Sequence, residues 1–355
     1  MNDPQDASSY DAILIVSFGG PEGPDDVMPF LENVLRGKNV PRERMLEVAE
    51  HYNHFGGVSP INQQNREMID ALKADLTRAG VDLPVYWGNR NWAPMLPDTL
   101  DQMRRDGVRR AIAFFTSMYS CYSGCRQYRE NLYDACEVVG EGCSAIDKLR
   151  MPYNHPLLIE ILGDELRRQV ASMAEAERRK SIVLFCAHSI PQGMADACRY
   201  AEQLRETARL TADAASCERW ELVFQSRSGP PTQPWLEPDV CDRIEQLAEA
   251  GDTTAVVLHP IGFVSDHMEV MYDLDEEAAQ ACQAAGLAFR RAATPSNDPR
   301  FVQMIRLLIE ERMEPQAERP AVGKYGPNHD VCPANCCLSG RPGVPRRPAV
   351  AQADP

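Results

Sequence analysis

The sequence predicts an α/β fold of two Rossmann-like, doubly wound lobes, each built on a parallel sheet, with a cleft between them. Strand-like apolar runs at residues 12–16, 85–87, 110–115, 182–185, 221–224 and 255–258 alternate with stretches of helical periodicity. Three of these runs fall on each side of about residue 155, which implies two similar lobes. The chain has 355 residues, enough for two cores of ordinary size. The expected boundaries are 8–155 for the first lobe, 156–315 for the second, and 316–355 for a cysteine-containing tail.

The elements follow in order. The first strand, AILIV at 12–16, leads into Gly19-Gly20-Pro21-Glu22-Gly23-Pro24 and a helix starting near Asp25. That glycine-rich turn is a poor phosphate loop, because its prolines remove backbone donors and the nearby carboxylates oppose an anion. Residues 61–79 place Ile, Met, Leu and Leu at helical spacing, and 155–173 repeat the pattern. A helix over 299–313 closes the fold. From Glu314 onward the composition turns to Pro, Gly and Arg, and only its cysteines argue for order there.

A net charge of −15 and a pI near 5.0 exclude nucleic acid as the expected partner, since a phosphate backbone needs a basic face. Residues 1–10 lack the basic and apolar regions of an export signal, and no apolar run approaches a membrane span. Twelve cysteines in such a chain are expected to be mostly reduced thiols, as in a cytoplasmic enzyme, and where clustered to point to metal. The oligomeric state is open, with a monomer the simplest case.

Two strand ends carry the chemistry. His188 ends the run 182–185 plus Cys186-Ala187, where open α/β sheets place their ligand sites. Glu269 follows the run 255–258 in the first turns of a helix, and Asp273 and Glu277 continue it at intervals of four, along one face. Like charges at that spacing repel, so a bare helix gains nothing from them. A carboxylate row facing a cleft can pass a hydrated divalent cation or take up protons, with His188 as the opposing ligand across a gap wide enough for a flat ring.

The segments FCAHSIP at 185–191, FQSRSGPPTQPWLEPD at 224–239, PIGFVSDHMEVMYDLDEE at 260–277, HFGGVSPIN at 54–62 and YWGNRNWAP at 86–94 resemble the ferrochelatase family. The resemblance implies a porphyrin held in the cleft and Fe(II), as substrate, inserted into it without ATP. It puts the family's metal-site pair on His188 and Glu269 and its acidic row on Asp273 and Glu277. It makes Ser59 and Tyr128 the expected propionate contacts, with Arg36 and His51-Tyr52 as further candidates. Phe18 stands where some bacterial relatives carry a Tyr, and Trp92 where some carry a His, so neither offers a metal ligand. The actinobacterial look of Phe18, Trp92 and the tail favours coproporphyrin III as substrate. Protoporphyrin IX, a cobalt or nickel chelatase, and a non-catalytic haem carrier or iron–sulfur sensor on the same fold are the alternatives.

Cys332, Cys336 and Cys337 lie within six residues of the tail, a partial cluster site. By the same resemblance they hold a [2Fe–2S] cluster with a fourth, upstream thiolate. Cys125 is the preferred fourth ligand, with Cys121, Cys143 and Cys198 as alternatives, and four thiolates would also suit zinc.

Overall fold

The computed structural model describes residues 10–353 except 39, 231, 315, 342 and 344. The expectation about an export signal at residues 1–9, and Pro231 within the SGPP motif, lie outside the described residues. The strands are β1 (Ala12–Ser17), β2 (Val85–Asn89), β3 (Arg110–Phe115), β4 (Ala145–Lys148), β5 (Ser181–His188), β6 (Trp220–Gln225), β7 (Ala255–His259) and β8 (Ala288–Arg291). They form two four-stranded sheets, ordered β2-β1-β3-β4 and β6-β5-β7-β8, with every pairing parallel, as predicted.

The central strands β1 and β3 of the first sheet and β5 and β7 of the second are almost wholly buried, because helices cover both faces. Four flank the first sheet: α1 (Pro24–Val34), α2 (Arg42–His54), α3 (Ile61–Ala79) and α4 (Leu96–Arg105). A π-helical turn, Tyr122–Arg126, then runs into α5 (Gln127–Val139). Around the second sheet lie α6 (Pro156–Ala171), α7 (Glu175–Arg178), α8 (Gln192–Asp196), α9 (Tyr200–Ala214), α10 (Val240–Ala250), α11 (Met268–Val270) and α12 (Ala279–Ala284). The last helix, α13 (Pro299–Met313), packs against both α3 and α6.

Local chemistry explains several boundaries. On α3, Ile61, Met68, Ile69, Leu72 and Leu76 make one buried stripe, and Gly80 in the left-handed region ends it while Val81 N–H returns to the Leu76 carbonyl. Asp298 caps α13 by accepting from the Arg300 N–H at 2.8 Å, with Pro299 in the first turn. The two strands missed in the sequence, β4 and β8, are four-residue edge strands, AIDK and AFRR, too short and too charged to show as apolar runs. Among the described residues no helix is long and apolar enough to cross a membrane.

One further correction concerns the thiols. Cys136 and Cys143 are paired as a disulfide with Cα atoms 5.5 Å apart. They flank the end of α5 at Gly140, which returns the chain to within bonding reach.

Both sheets reverse strand order beside their first strand, and a ligand crevice forms at the carboxyl ends on either side of such a point. In the second sheet that crevice lies between β5 and β7. There Gly262 follows β7, and a Cβ on it would sit 2.6 Å from the Ala187 Cβ. Its N–H donates to the Cys186 carbonyl at 3.1 Å. Gly262→Ala is therefore expected to lower the melting temperature by at least about 2–4 °C and to disturb the adjoining His188. An unchanged thermal unfolding curve would refute this packing argument.

Candidate active site

β5 delivers His188 to the crevice with its side chain 34% exposed. The loop after β7 delivers Glu269, whose Oε2 lies 3.5 Å from His188 Nε2. This corrects one expectation: the pair does not oppose across a ring-sized gap. Both groups rise from neighbouring parallel strands, whose spacing is about 4.8 Å, so they share one wall. His188 Nδ1 lies 2.5 Å from the Ser189 carbonyl, an acceptor only, which places a proton on Nδ1 and turns Nε2 toward Glu269. Tyr200 Oη donates to the His188 carbonyl at 3.0 Å and Tyr119 Oη to the Ile261 carbonyl at 2.9 Å, steadying both arms.

Glu269 stands in the short α11, which widens into a π-helix over Met271–Ala278. Its i→i+5 turns keep residues four apart close to one line, and π segments occur mostly at functional sites. Asp273 and Glu277 continue the row. Burial, then the charges of Glu269 and Glu277, push the Asp273 carboxyl up to about 7, although Ser226 donates a hydrogen bond to it. Burial and the Asp239 charge also raise Glu277. Gln225, at the end of β6, ties this row to the histidine: its Nε2 donates to the Glu269 carbonyl at 3.1 Å and to Asp273 at 3.2 Å, while its own carbonyl accepts from the Ser189 N–H.

The facing wall comes from the first lobe. Phe18, Trp92, Phe30 and Tyr52 form an apolar cluster closed by Met268, the neighbour of Glu269. Phe30 is its hub, with ring centroids 6.2 Å from Phe18, 6.3 Å from Trp92 and 5.9 Å from Tyr52. Tyr52 is thus buried in this wall, near enough to Glu269 to feel its charge, and burial raises its hydroxyl pKa. Tyr128 is buried and stacks under Arg90 at 4.5 Å. Ser59 is buried where Gly20 passes it, and its N–H donates to the Pro21 carbonyl. Arg36 is exposed beyond α1, bonded to Asn33.

Sequence reasoning passed over Arg90, His267, Gln225 and Ser226. Arg90 sits within the quoted NRNW motif one residue past β2, a strand-end position that marks it. Its guanidinium also lies over Phe18 at 5.5 Å and donates to Asn131, with no carboxylate partner among the described residues. Burial lowers its pKa, and Arg90 in turn disfavours the charge on Lys38. His267 caps α11 and lies beside both His188 and Glu269, with burial lowering its pKa.

An acidic row leading to a histidine on one wall, and an aromatic floor edged by unneutralised cations on the other, suit a flat polycarboxylate that receives a divalent metal. The sequence profile of ferrochelatases matches residues 10–313. The chain belongs to the ferrochelatase family. The ferrochelatase of Rhodopirellula baltica is 59% identical over 346 residues, covering 98% of this chain and 97% of that protein. The coproporphyrin III ferrochelatase of Streptomyces coelicolor is 51% identical over 377 residues, covering 100% and 99%. In fold the chain is similar to SirB from Bacillus subtilis, with a TM-score of 0.55 at 10% identity over 86% of this chain and 96% of that one. It is therefore a metal chelatase of the lyase class, with Fe(II) as a substrate.

Behind this ferrochelatase site the tail brings its thiols together. Cys125, Cys332 and Cys336 share one apolar cluster, and Cys336 and Cys337 lie 3.5 Å apart at sulfur. Cys121 points into a different core and accepts from the Gly124 N–H, Cys198 bonds to the Met194 carbonyl, and Cys143 is in the disulfide. His329 Nε2 approaches the Cys336 sulfur at 3.7 Å.

The raised Asp273 carboxyl has a consequence for stability. The folded chain holds its proton up to about 7 whereas an ordinary carboxyl releases it near 3.8, so its contribution to stability falls as pH rises through that window. Asp273→Asn should raise the melting temperature more at about pH 8 than at about pH 5. Equal shifts at both would mean that this carboxyl titrates normally.

Proposed function

We propose that this chain inserts Fe(II) into coproporphyrin III, giving coproheme for haem synthesis. The observation that carries this reading is the His188–Glu269 pair, 3.5 Å apart at the adjoining ends of β5 and β7, with Asp273 behind it. Iron enters along Glu277, Asp273 and Glu269, shedding water as carboxylate oxygens replace it. The macrocycle must lose two N–H protons as the metal enters. His188 Nε2 accepts a pyrrole proton, and the imidazolium so formed is stabilised by the facing Glu269 carboxylate. Asp273, titrating near 7, takes that proton on toward solvent and so frees His188 to accept the second. Stacking on Phe18 and Trp92 holds the ring, and bending it toward a saddle exposes the nitrogen lone pairs.

The substrate assignment has two supports. Relatives about half identical over the full chain are named coproporphyrin III ferrochelatases. Arg90 and Arg36 also border the cleft with no carboxylate at ion-pair distance among the described residues, nor does Lys38 have one, although it feels the Glu269 charge; Arg66 and Arg291 by contrast hold Glu22 and Asp266. Ser59 and Tyr128 complete this propionate-binding edge. A tetracarboxylate uses more such cations than a dicarboxylate. Ten described cysteines are unpaired, which suits a reducing, cytoplasmic setting.

We further propose that Cys125, Cys332, Cys336 and Cys337 hold a [2Fe–2S] cluster. Thiols gathered in a mostly buried pocket fit such a group, with Cys125, Cys332 and Cys336 in one apolar cluster and the Cys337 sulfur 3.5 Å from that of Cys336. When bound, the cluster would supply a one-electron centre and a covalent tie between the π-helical turn before α5 and the tail.

Anaerobic incubation with Fe(II) and each porphyrin, followed by absorption spectra, tests the reading. Coproporphyrin III should be metallated faster than protoporphyrin IX, and His188→Ala should reduce the rate at least about a hundredfold. The reverse preference would establish the protoporphyrin reaction, and metallation of neither would leave a carrier or sensor. Iron and acid-labile sulfide in the anaerobically purified protein should be lost in Cys332→Ser; zinc without sulfide would replace the cluster with a zinc site.

A further inference from the structure

The tail crosses an unusual piece of buried charge. Lys148, the last residue of β4, is 1% exposed, and its ammonium donates to the carbonyls of His329 at 3.0 Å and Leu149 at 3.4 Å. Arg129 on α5 is fully buried, donating to the carbonyls of Val350 at 2.8 Å and Ala351 at 3.3 Å, while its Nη1 is buried with no hydrogen-bond partner. Among the described residues neither cation has a carboxylate within ion-pair distance. Their neighbours do: Arg126 holds Glu130 at 2.9 Å and Arg150 holds Glu311 at 2.8 Å. The first lobe therefore buries two positive charges that no acidic side chain neutralises. An isolated buried charge costs several kcal/mol, so such groups are otherwise paired or neutralised.

Both cations lie beside the thiol pocket. Lys148 bonds the His329 carbonyl, and the His329 ring lies 3.7 Å from the Cys336 sulfur; Arg129 bonds the Ala351 carbonyl, which also accepts from the Cys332 N–H at 3.1 Å. They also grip the tail on both sides of the thiols, at His329 before them and at Val350 and Ala351 after them.

Charge counting then selects a ligand set. Four thiolates around either an oxidised [2Fe–2S] core or Zn²⁺ make a dianion, which matches two uncompensated cations. Three thiolates with neutral His329 make a monoanion, and one buried cation stays unmatched. His329, Cys332 and Cys336 do reach within 4.8 Å of one another, so geometry alone permits the histidine set. The charge balance opposes it.

We propose that Lys148 and Arg129 are the built-in counter-ions of a dianionic four-thiolate metal centre, and that His329 stands outside its ligands. The inference rests on the four-thiolate reading of the tail given above. The centre and the two cations neutralise each other inside the lobe, and the carbonyls bound to those cations carry the tail with them.

The test uses full-length protein purified anaerobically, with metal and sulfide content, visible and EPR spectra, resistance to EDTA, and, for an iron–sulfur centre, potentiometric titration. Lys148→Met and Arg129→Met should each lose the centre to EDTA about tenfold faster than wild type. Removing a positive charge should also lower the equilibrium constant for reduction about tenfold, about 59 mV for a one-electron couple. Lys148→Arg and Arg129→Lys keep the charge and should behave as wild type, and His329→Ala should keep the wild-type spectrum and metal content. Wild-type protein with neither zinc nor an iron–sulfur centre overturns the four-thiolate reading itself. A wild type that holds its centre, with Met variants that hold it equally well, overturns only the present inference. A defect shared by the Met variants and their charge-keeping counterparts, including failure to fold, shows packing rather than charge and overturns it too. Loss of the centre in His329→Ala overturns the ligand set.

Discussion

Gly262 lies on Ala187 with no room for a side chain, and its N–H is tied to the Cys186 carbonyl. This close approach brings the loop after β7 onto the end of β5, and the rest of the site is arranged around it. Because the two arms meet there, an imidazole and a carboxylate from segments some eighty residues apart in sequence come to rest at ion-pair distance. Gln225 extends the arrangement sideways to β6, so three adjacent parallel strands fix the histidine and the start of the acidic row. Parallel pairing makes this possible, since it gathers the carboxyl ends of all strands at one edge.

The two walls of the cleft solve opposite electrostatic problems. The second lobe concentrates carboxylates until mutual repulsion and burial keep one of them protonated near neutrality, a state that a divalent cation relieves. The first lobe does the reverse with Arg90 and Lys38: burial disfavours the charge on both, and the Arg90 guanidinium disfavours that on Lys38 further. Under the proposed function, these two surfaces would draw the metal and the polyacid respectively, in a chain whose overall charge is −15.

Much of this was legible in the sequence, for physical reasons. The central strands are continuous apolar runs because both their faces are covered, and α3 and α13 show clean periodicity and end signals. The strands β4 and β8 were not legible, since an edge strand need not be apolar on both faces. His188 and Glu269 stood out by their place after apolar runs, but their closeness did not, because it depends on sheet order. The π-helix left no mark in the four-residue spacing of Glu269, Asp273 and Glu277, which reads as an ordinary helix. Arg90 and Lys148 look like unremarkable surface cations in a one-dimensional reading. Beyond the strand-end place of Arg90, what singles them out is burial without a carboxylate partner among the described residues, which is a tertiary property.

The position of α13 limits how the molecule can move. This helix lies against α3 of the first lobe and α6 of the second, Arg306 on it holds Asp75 of α3 at 2.7 Å, and one apolar core runs through both sheets beneath it. The halves therefore share a spine and do not swing like the jaws of a hinged clamp. Beside the cleft, α2 meets the second lobe through Met268, packed with its Met45, Ala49 and Tyr52, through His51 stacked on Tyr272 at 3.8 Å, and through His54, 3.4 Å from Glu276. The frame around the cleft is accordingly set by α13.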